Sequence, residues 1–194
     1  IVFHKGEANR DILAAEQMLI YGYGNELQTR WITIHDSKGQ PSEPFDANAL
    51  AKAAMATPFK RPENGQFRPG TSFKEFYFTV TGDTNAKTEA GSAFGGFGGV
   101  LKIVQSGPSA DKGKISLVFR GDAGRSGFDN LSFLDDKQLL VGEDAGDKLH
   151  AQRNAYVAGY VIDVTVDYAS KDPIRFLAVG RDEVVAAVAR TYRQ

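Results

Sequence analysis

From Phe73 onward the chain is written in short runs rich in apolar and aromatic residues, several of them alternating with polar ones. Such runs, bounded by Gly, Asp, Asn and Pro, predict short β-strands. The predicted strands are Phe73–Val80, Val100–Gln105, Ile115–Arg120, Leu131–Leu134, Gln138–Gly142, Tyr160–Val166 and Ile174–Val179. Asp135-Asp136-Lys137 between two of them is hairpin-turn chemistry, so antiparallel sheets of up to four strands are expected. Upstream, Trp31-Ile32-Thr33-Ile34-His35 alternates and predicts a further strand, closed by the turn-like Asp36-Ser37-Lys38-Gly39. Asp11 to Leu19 carries a mild helical pattern, which Tyr21-Gly22-Tyr23-Gly24-Asn25 breaks.

Helices are few in this pattern. The alanine-rich run after Asp46 has high helix propensity, Asp46 is placed to cap it, and Pro58 stops it, which predicts a helix over Asp46–Met55. A second is expected from about Asp182 to Tyr192. The fold class that follows is all-β with one or two short helices, and evenly spaced short strands fit a sandwich or a propeller. No repeat stands out in the sequence to choose between them.

Composition narrows the functions. The chain has 194 residues, 42% of them hydrophobic, which suits one domain or a fragment of a larger one. Its first residues, Ile1-Val2-Phe3-His4, include no initiator Met, as expected of a processed chain or a fragment. Formal net charge is −1, with both signs mixed along the chain. That balance points away from nucleic-acid and membrane-surface partners. With no cysteine, thiolate metal sites, disulfides and Cys nucleophiles are excluded.

Candidate chemistry rests on oxygen ligands. The Gly-rich stretch Gly91 to Gly99 lacks the spacing of phosphate-binding loops and precedes a strand, so it is read as a flexible or closely packed loop. His4, His35 and His150 share no metal-ligand spacing, and no serine elbow is present. Carboxylates are better placed. Glu63, Asp83, Asp129, Glu143, Asp144 and Asp147 mostly stand at strand ends or in Gly-containing loops. Hard cations take several oxygen ligands, which converging loops can supply. Ordinary turn chemistry explains each of these residues taken singly.

Several strings in order resemble the PhoX-like family. Phe59-Lys60-Arg61-Pro62-Glu63-Asn64-Gly65 resembles its Arg-Pro-Glu-(Asp/Asn)-Gly signature, and Phe76 to Asp83 the strand that follows. Gly99-Val100-Leu101-Lys102 is similar to a later strand. Phe128-Asp129-Asn130-Leu131 resembles the Pro-Asp-Asn-Leu string, with Phe128 replacing proline. Gly142 to Asn154 resembles the Glu-Asp-x-Gly-Asp…Gln-Arg-Asn stretch of less characterised bacterial members, and Arg175 to Asp182 follows in family order. The match spans roughly residues 58–182.

The resemblance implies a β-propeller, or part of one, in an exported (periplasmic or secreted) phosphatase acting on phosphate esters. At about 40–50 residues per blade the length predicts about four blades. The remaining blades would come from the rest of the polypeptide or another copy. Characterised members hold calcium and iron with carboxylates in the central channel. Calcium is the cofactor expected here; a cysteine ligates the family's iron, and this chain has none. Glu63 corresponds to a metal ligand. Asp129, Glu143 and Asp144 are the further metal candidates, with Arg153 and Asn154 as phosphate-facing groups. Two alternatives stand beside this: a non-catalytic, calcium-stabilised propeller that binds a partner, and an unrelated β-sandwich.

Overall fold

The computed structural model describes residues 17–36, 38, 44–82, 92–144 and 156–179. Among these residues nine strands pair in two antiparallel sheets. In the first, β1 (Glu26–Arg30), β2 (Pro62–Phe67), β3 (Glu75–Val80), β4 (Gly99–Gln105) and β5 (Lys112–Arg120) lie in the order β1-β5-β4-β3-β2. In the second, β6 (Phe128–Phe133), β7 (Gln138–Glu143), β8 (Ala158–Asp163) and β9 (Ile174–Ala178) follow one another in chain order. β2–β5 and β6–β9 are thus two successive four-strand meanders, with β1 added outside β5.

The described residues form two sheets where chain length alone predicted about four blades. Among the described residues before Pro62 only β1 lies in a sheet, and the meanders run from residue 62 to 120 and from 128 to 178. Each therefore takes more chain than the estimate allotted. The first sheet also has five strands where four were expected.

Burial follows the alternation. Along β7 the odd positions Leu139, Val141 and Glu143 are buried and the even ones are half-buried or exposed. Leu139 and Val141 share a core with Tyr77, Val100 and Phe119 of the first sheet. Phe119 meets Phe128 edge-on at 5.7 Å and Tyr168 at 5.8 Å, and Tyr77 meets Phe133 at 5.2 Å. Such edge contacts add about 0.5–1.5 kcal/mol each beyond the area buried. The opposite face of the first sheet carries a second core of Phe78, Val80, Leu101, Ile115 and Leu117, covered by Ile20 and Tyr21. Burial on both faces explains why Phe76-Tyr77-Phe78 in β3 runs on without alternating with polar residues.

Two helices lie among the described residues, α1 (Gln17–Ile20) and α2 (Ala47–Ala53). Asp46 caps α2 as predicted, its carboxylate accepting the N–H of Ala49 at 2.9 Å. Trp31–His35 is not a strand. The chain pairs five residues earlier, at Glu26–Arg30, whose alternation is half-buried and exposed rather than apolar and polar. The predicted turn at Asp135 holds, with its carboxylate accepting from the N–H groups of Lys137 and Gln138 at 2.7 and 2.6 Å. The helix expected over 182–192, and the start of that over 11–19, lie outside the described residues.

The Gly-rich stretch is a closely packed loop over its described part. A 3-10 turn at Ser92–Phe94 leads into Gly95 and Gly98, both at positive φ. A Cβ on Gly98 would overlap the carbonyl oxygen of Val80, and one on Gly95 would overlap the Tyr21 ring. Here glycine is required by close approach as well as by backbone conformation.

Candidate functional site

The first strands of the two meanders, β2 and β6, meet. Their joint is made by polar side chains reaching backbone groups. Gln66 Oε1 accepts the N–H of Phe133 at 2.8 Å, and Arg68 Nε donates to the Asp136 carbonyl at 2.5 Å. Thr79, buried in β3, brings its hydroxyl within reach of the carbonyl oxygens of both Asn64 and Asp129. Asn64 Nδ2 donates to Asn130 Oδ1 at 3.4 Å.

Both strands are irregular where they meet. The β2–β3 register shifts between Pro62 and Gly65, and the β6–β7 register between Phe128 and Leu131. The residues inside these shifts are Glu63-Asn64 and Asp129-Asn130. Each meander therefore opens with an acid-Asn pair in a bulge. Bulges leave a residue out of the ladder and re-aim its side chain. Arg61, just before the first bulge, adopts φ 59°, a conformation that L residues other than Asn and Asp seldom take.

Charge is crowded at this joint. The carboxyl of Asp129 titrates above its ordinary value, first because burial withdraws it from water, then because the negative charges of Glu63 and Asp144 oppose its ionisation. Arg61 acts the other way. Its guanidinium lies 4.0 Å from Glu63, with both side chains well exposed. Asp144, exposed at the end of β7, is held by its own N–H, which donates to the Gly127 carbonyl at 2.8 Å. Three of the predicted metal candidates, Glu63, Asp129 and Asp144, are thus brought within electrostatic reach of one another.

Glu143 is placed elsewhere. Its side chain is buried between the sheets and accepts the N–H groups of Ser126 at 2.9 Å and Ala158 at 2.7 Å, with the Tyr160 hydroxyl at 3.3 Å. It ties the start of β8 and the chain entering β6 to the end of β7. Arg153, Asn154, Asp83, Asp147 and His150 lie outside the described residues. His35 stacks on Phe45 with ring centroids 3.9 Å apart.

The chain matches no protein-family model, no curated protein and no solved structure.

Carboxylates, amide oxygens and carbonyls are the donors calcium takes. Among the described residues no three acidic or histidine side chains converge tightly enough to ligate one ion. A cation held at the joint would draw on Glu63 and Asp129 and complete its shell with the amide oxygens of Asn64 or Asn130, with carbonyls or with water. Sequence reasoning missed Arg61, Asn64, Asn130 and Thr79 as parts of this joint. The signal was there in the repeated acid-Asn pairs, Glu63-Asn64 and Asp129-Asn130.

Proposed function

We propose that this chain supplies two blades of a β-propeller that binds calcium where β2 meets β6 and hydrolyses phosphate esters there, as members of the PhoX-like family do. The observation that carries the reading is the pair of matching bulges. Each four-strand meander is the size and topology of a propeller blade. Each presents an acid-Asn pair on its first strand, the strand nearest the axis in a propeller, and those two strands are neighbours. Repetition of one acidic position from blade to blade is how a propeller would gather oxygen ligands from points far apart in sequence.

When bound, a divalent cation would neutralise phosphate oxygens and favour attack of water on phosphorus. The chain's own residues would have separate tasks. Arg61 is exposed beside Glu63 and could pair with non-bridging oxygens of the ester. Asn64 and Asn130 would orient the bulges. Glu143 would hold the sheet ends that carry Asp144 and the segment leading to Asp129, and so act on the joint only by position.

The test combines a calcium titration by calorimetry with hydrolysis of p-nitrophenyl phosphate. Calcium binding and turnover, both removed by a chelator and both lost in Asp129→Asn with the circular dichroism spectrum retained, support the reading. A calcium-dependent rise in melting temperature without turnover would favour the second reading, a calcium-stabilised propeller that binds a partner. The structural hydrogen bonds of Glu143 lean toward that second reading, because they engage one of the four carboxylates expected to face a cation. Neither calcium binding nor turnover would defeat both.

A further inference from the structure

Asn64-Gly65 is the only Asn-Gly pair in the chain. Glycine, with no side chain, leaves its peptide nitrogen open to attack the carboxamide of the asparagine before it. It also lets the backbone reach the conformation that the attack needs. A fold suppresses this reaction where it pins the backbone on either side of the asparagine.

Here the backbone is held loosely. β2 is the last strand of its sheet, and among the described residues it pairs with β3 alone. It is exposed at every position from Pro62 to Phe67. Pro62 stands opposite Val80 and Gly65 opposite Phe78, so Glu63 and Asn64 lie in the register shift with no partner in the ladder. The side-chain amide of Asn64 is held by a long, exposed hydrogen bond, Nδ2 to Asn130 Oδ1 at 3.4 Å. The Asn64 carbonyl oxygen accepts from the Thr79 hydroxyl at 3.2 Å. That bond does not oppose the attack, because this oxygen takes up charge when the Gly65 nitrogen loses its proton. Packing also dictates the glycine: a Cβ on Gly65 would overlap the Phe76 ring. The close approach of β2 to β3 thus places a glycine directly after an asparagine whose backbone is free of the ladder.

We propose that Asn64 is a site of spontaneous deamidation in the folded protein, with water as the co-reactant. The Gly65 nitrogen gives its proton to solvent and bonds to Asn64 Cγ. The Cγ–Nδ2 bond breaks and the amide nitrogen leaves as ammonia. Water then opens the cyclic imide at either carbonyl. Opening at Cγ gives aspartate in the original backbone; opening at the main-chain carbonyl gives isoaspartate, whose backbone runs through Cγ. Aspartate puts another carboxylate beside Glu63 and Asp129, and Asn130 keeps the contact by turning its own NH2 group toward it. Isoaspartate lengthens the β2 backbone by one methylene and disturbs its pairing with β3. The reaction needs neither calcium nor a phosphate ester, so it stands apart from the activity proposed above.

The protein is held at neutral pH and body temperature and sampled by peptide mass spectrometry. A synthetic peptide of residues 58–70 serves as the unstructured reference. We expect the mass change from Asn to Asp at Asn64 before any other asparagine, in two chromatographically separate products. Its rate should lie within about a hundredfold of the peptide's, as local opening of an edge strand allows. A reaction that waited for global unfolding would be slower than the peptide by about a thousandfold or more, the size of ordinary unfolding constants. Asn64→Asp identifies which product is aspartate. Asn64→Gln, whose longer side chain must close a larger ring, should show no mass change at this position. The proposal is overturned by a rate more than about a hundredfold below the peptide's, by another asparagine reacting first, or by a single product, which would exclude the cyclic imide.

Discussion

Asn64 and Asn130, 66 positions apart in the chain, hydrogen-bond to each other across the joint between the two sheets, the Nδ2 of the first donating to the Oδ1 of the second at 3.4 Å. Each follows an acid in a bulge, so this contact places Glu63 and Asp129 on one edge. Replacing Asn130 with aspartate keeps an acceptor for Asn64 and adds a negative charge next to the others. Without calcium, Asn130→Asp should cost about 0.5–1 kcal/mol at neutral pH, the scale of like charges on neighbouring strands. Millimolar calcium should restore the loss in urea unfolding. A loss that calcium leaves untouched would remove the cation from this edge.

Glu143 is a stability residue. Its carboxylate is buried and receives two backbone N–H groups, those of Ser126 and Ala158. Removing it leaves both donors without this partner in a site that excludes water. Glu143→Ala should therefore cost about 3 kcal/mol or more in urea unfolding. Calcium affinity, normalised to the folded fraction, should stay within about twofold of the parent. A destabilisation under about 1 kcal/mol would show that water reaches these N–H groups.

Gly98 carries the backbone through φ 79° directly against β3. Alanine there meets two independent penalties, a left-handed conformation and overlap with the Val80 carbonyl oxygen. Left-handed strain alone costs about 1 kcal/mol or more. Gly98→Ala should lose about 3 kcal/mol or more in thermal or urea unfolding. Gly107→Ala, with open space around it and no positive φ, should change stability by less than about 0.5 kcal/mol.

Most of the strands could be read in advance from their short apolar runs between turn residues. Burial alternates along β5 and β7, the strands of the first sheet carry a core on each face, and the Asp135 turn and the Asp46 cap are local chemistry. β2 was not legible. Pro62-Glu63-Asn64-Gly65-Gln66-Phe67 is exposed throughout, holds a proline and a glycine, and is a strand only because β3 pairs with it. β1 was displaced by Trp31–Ile34, whose apolar residues line a cavity beside α2 instead of joining the sheet. The acidic joint was legible in part. Glu63 and Asp129 stood out as acids in motif-like strings, but their common environment depends on two register shifts that no local pattern encodes. Glu143 looked the same as its neighbour Asp144 in sequence. Strand alternation separates them, turning one inward to backbone donors and the other out to solvent.

The acidity of Asp129 gives the sharpest test of the joint. Burial, then the charges of Glu63 and Asp144, raise its carboxyl above the ordinary 3.8. In the folded chain its ionisation is therefore less favourable than in the unfolded chain. The sign of the pH effect follows. Below 3.8 both states hold the proton and Asp129 carries no penalty. Between 3.8 and the raised folded value the folded state holds more protons, so stability falls as pH rises, and the loss persists at neutral pH. Asp129→Asn abolishes this term. Without calcium the variant should be more stable than the parent at pH 7, with the difference shrinking to nothing as pH falls below 3.8. Glu63→Gln should move the Asp129 carboxyl down in a carbon-detected NMR titration, because one of the opposing charges is gone. Calcium should invert the order at pH 7. A bound cation turns the crowded charges from a cost into a ligand set, so the parent should gain melting temperature while Asp129→Asn does not. Identical calcium responses in parent and variant would place any cation away from this carboxylate, whatever the titration shows.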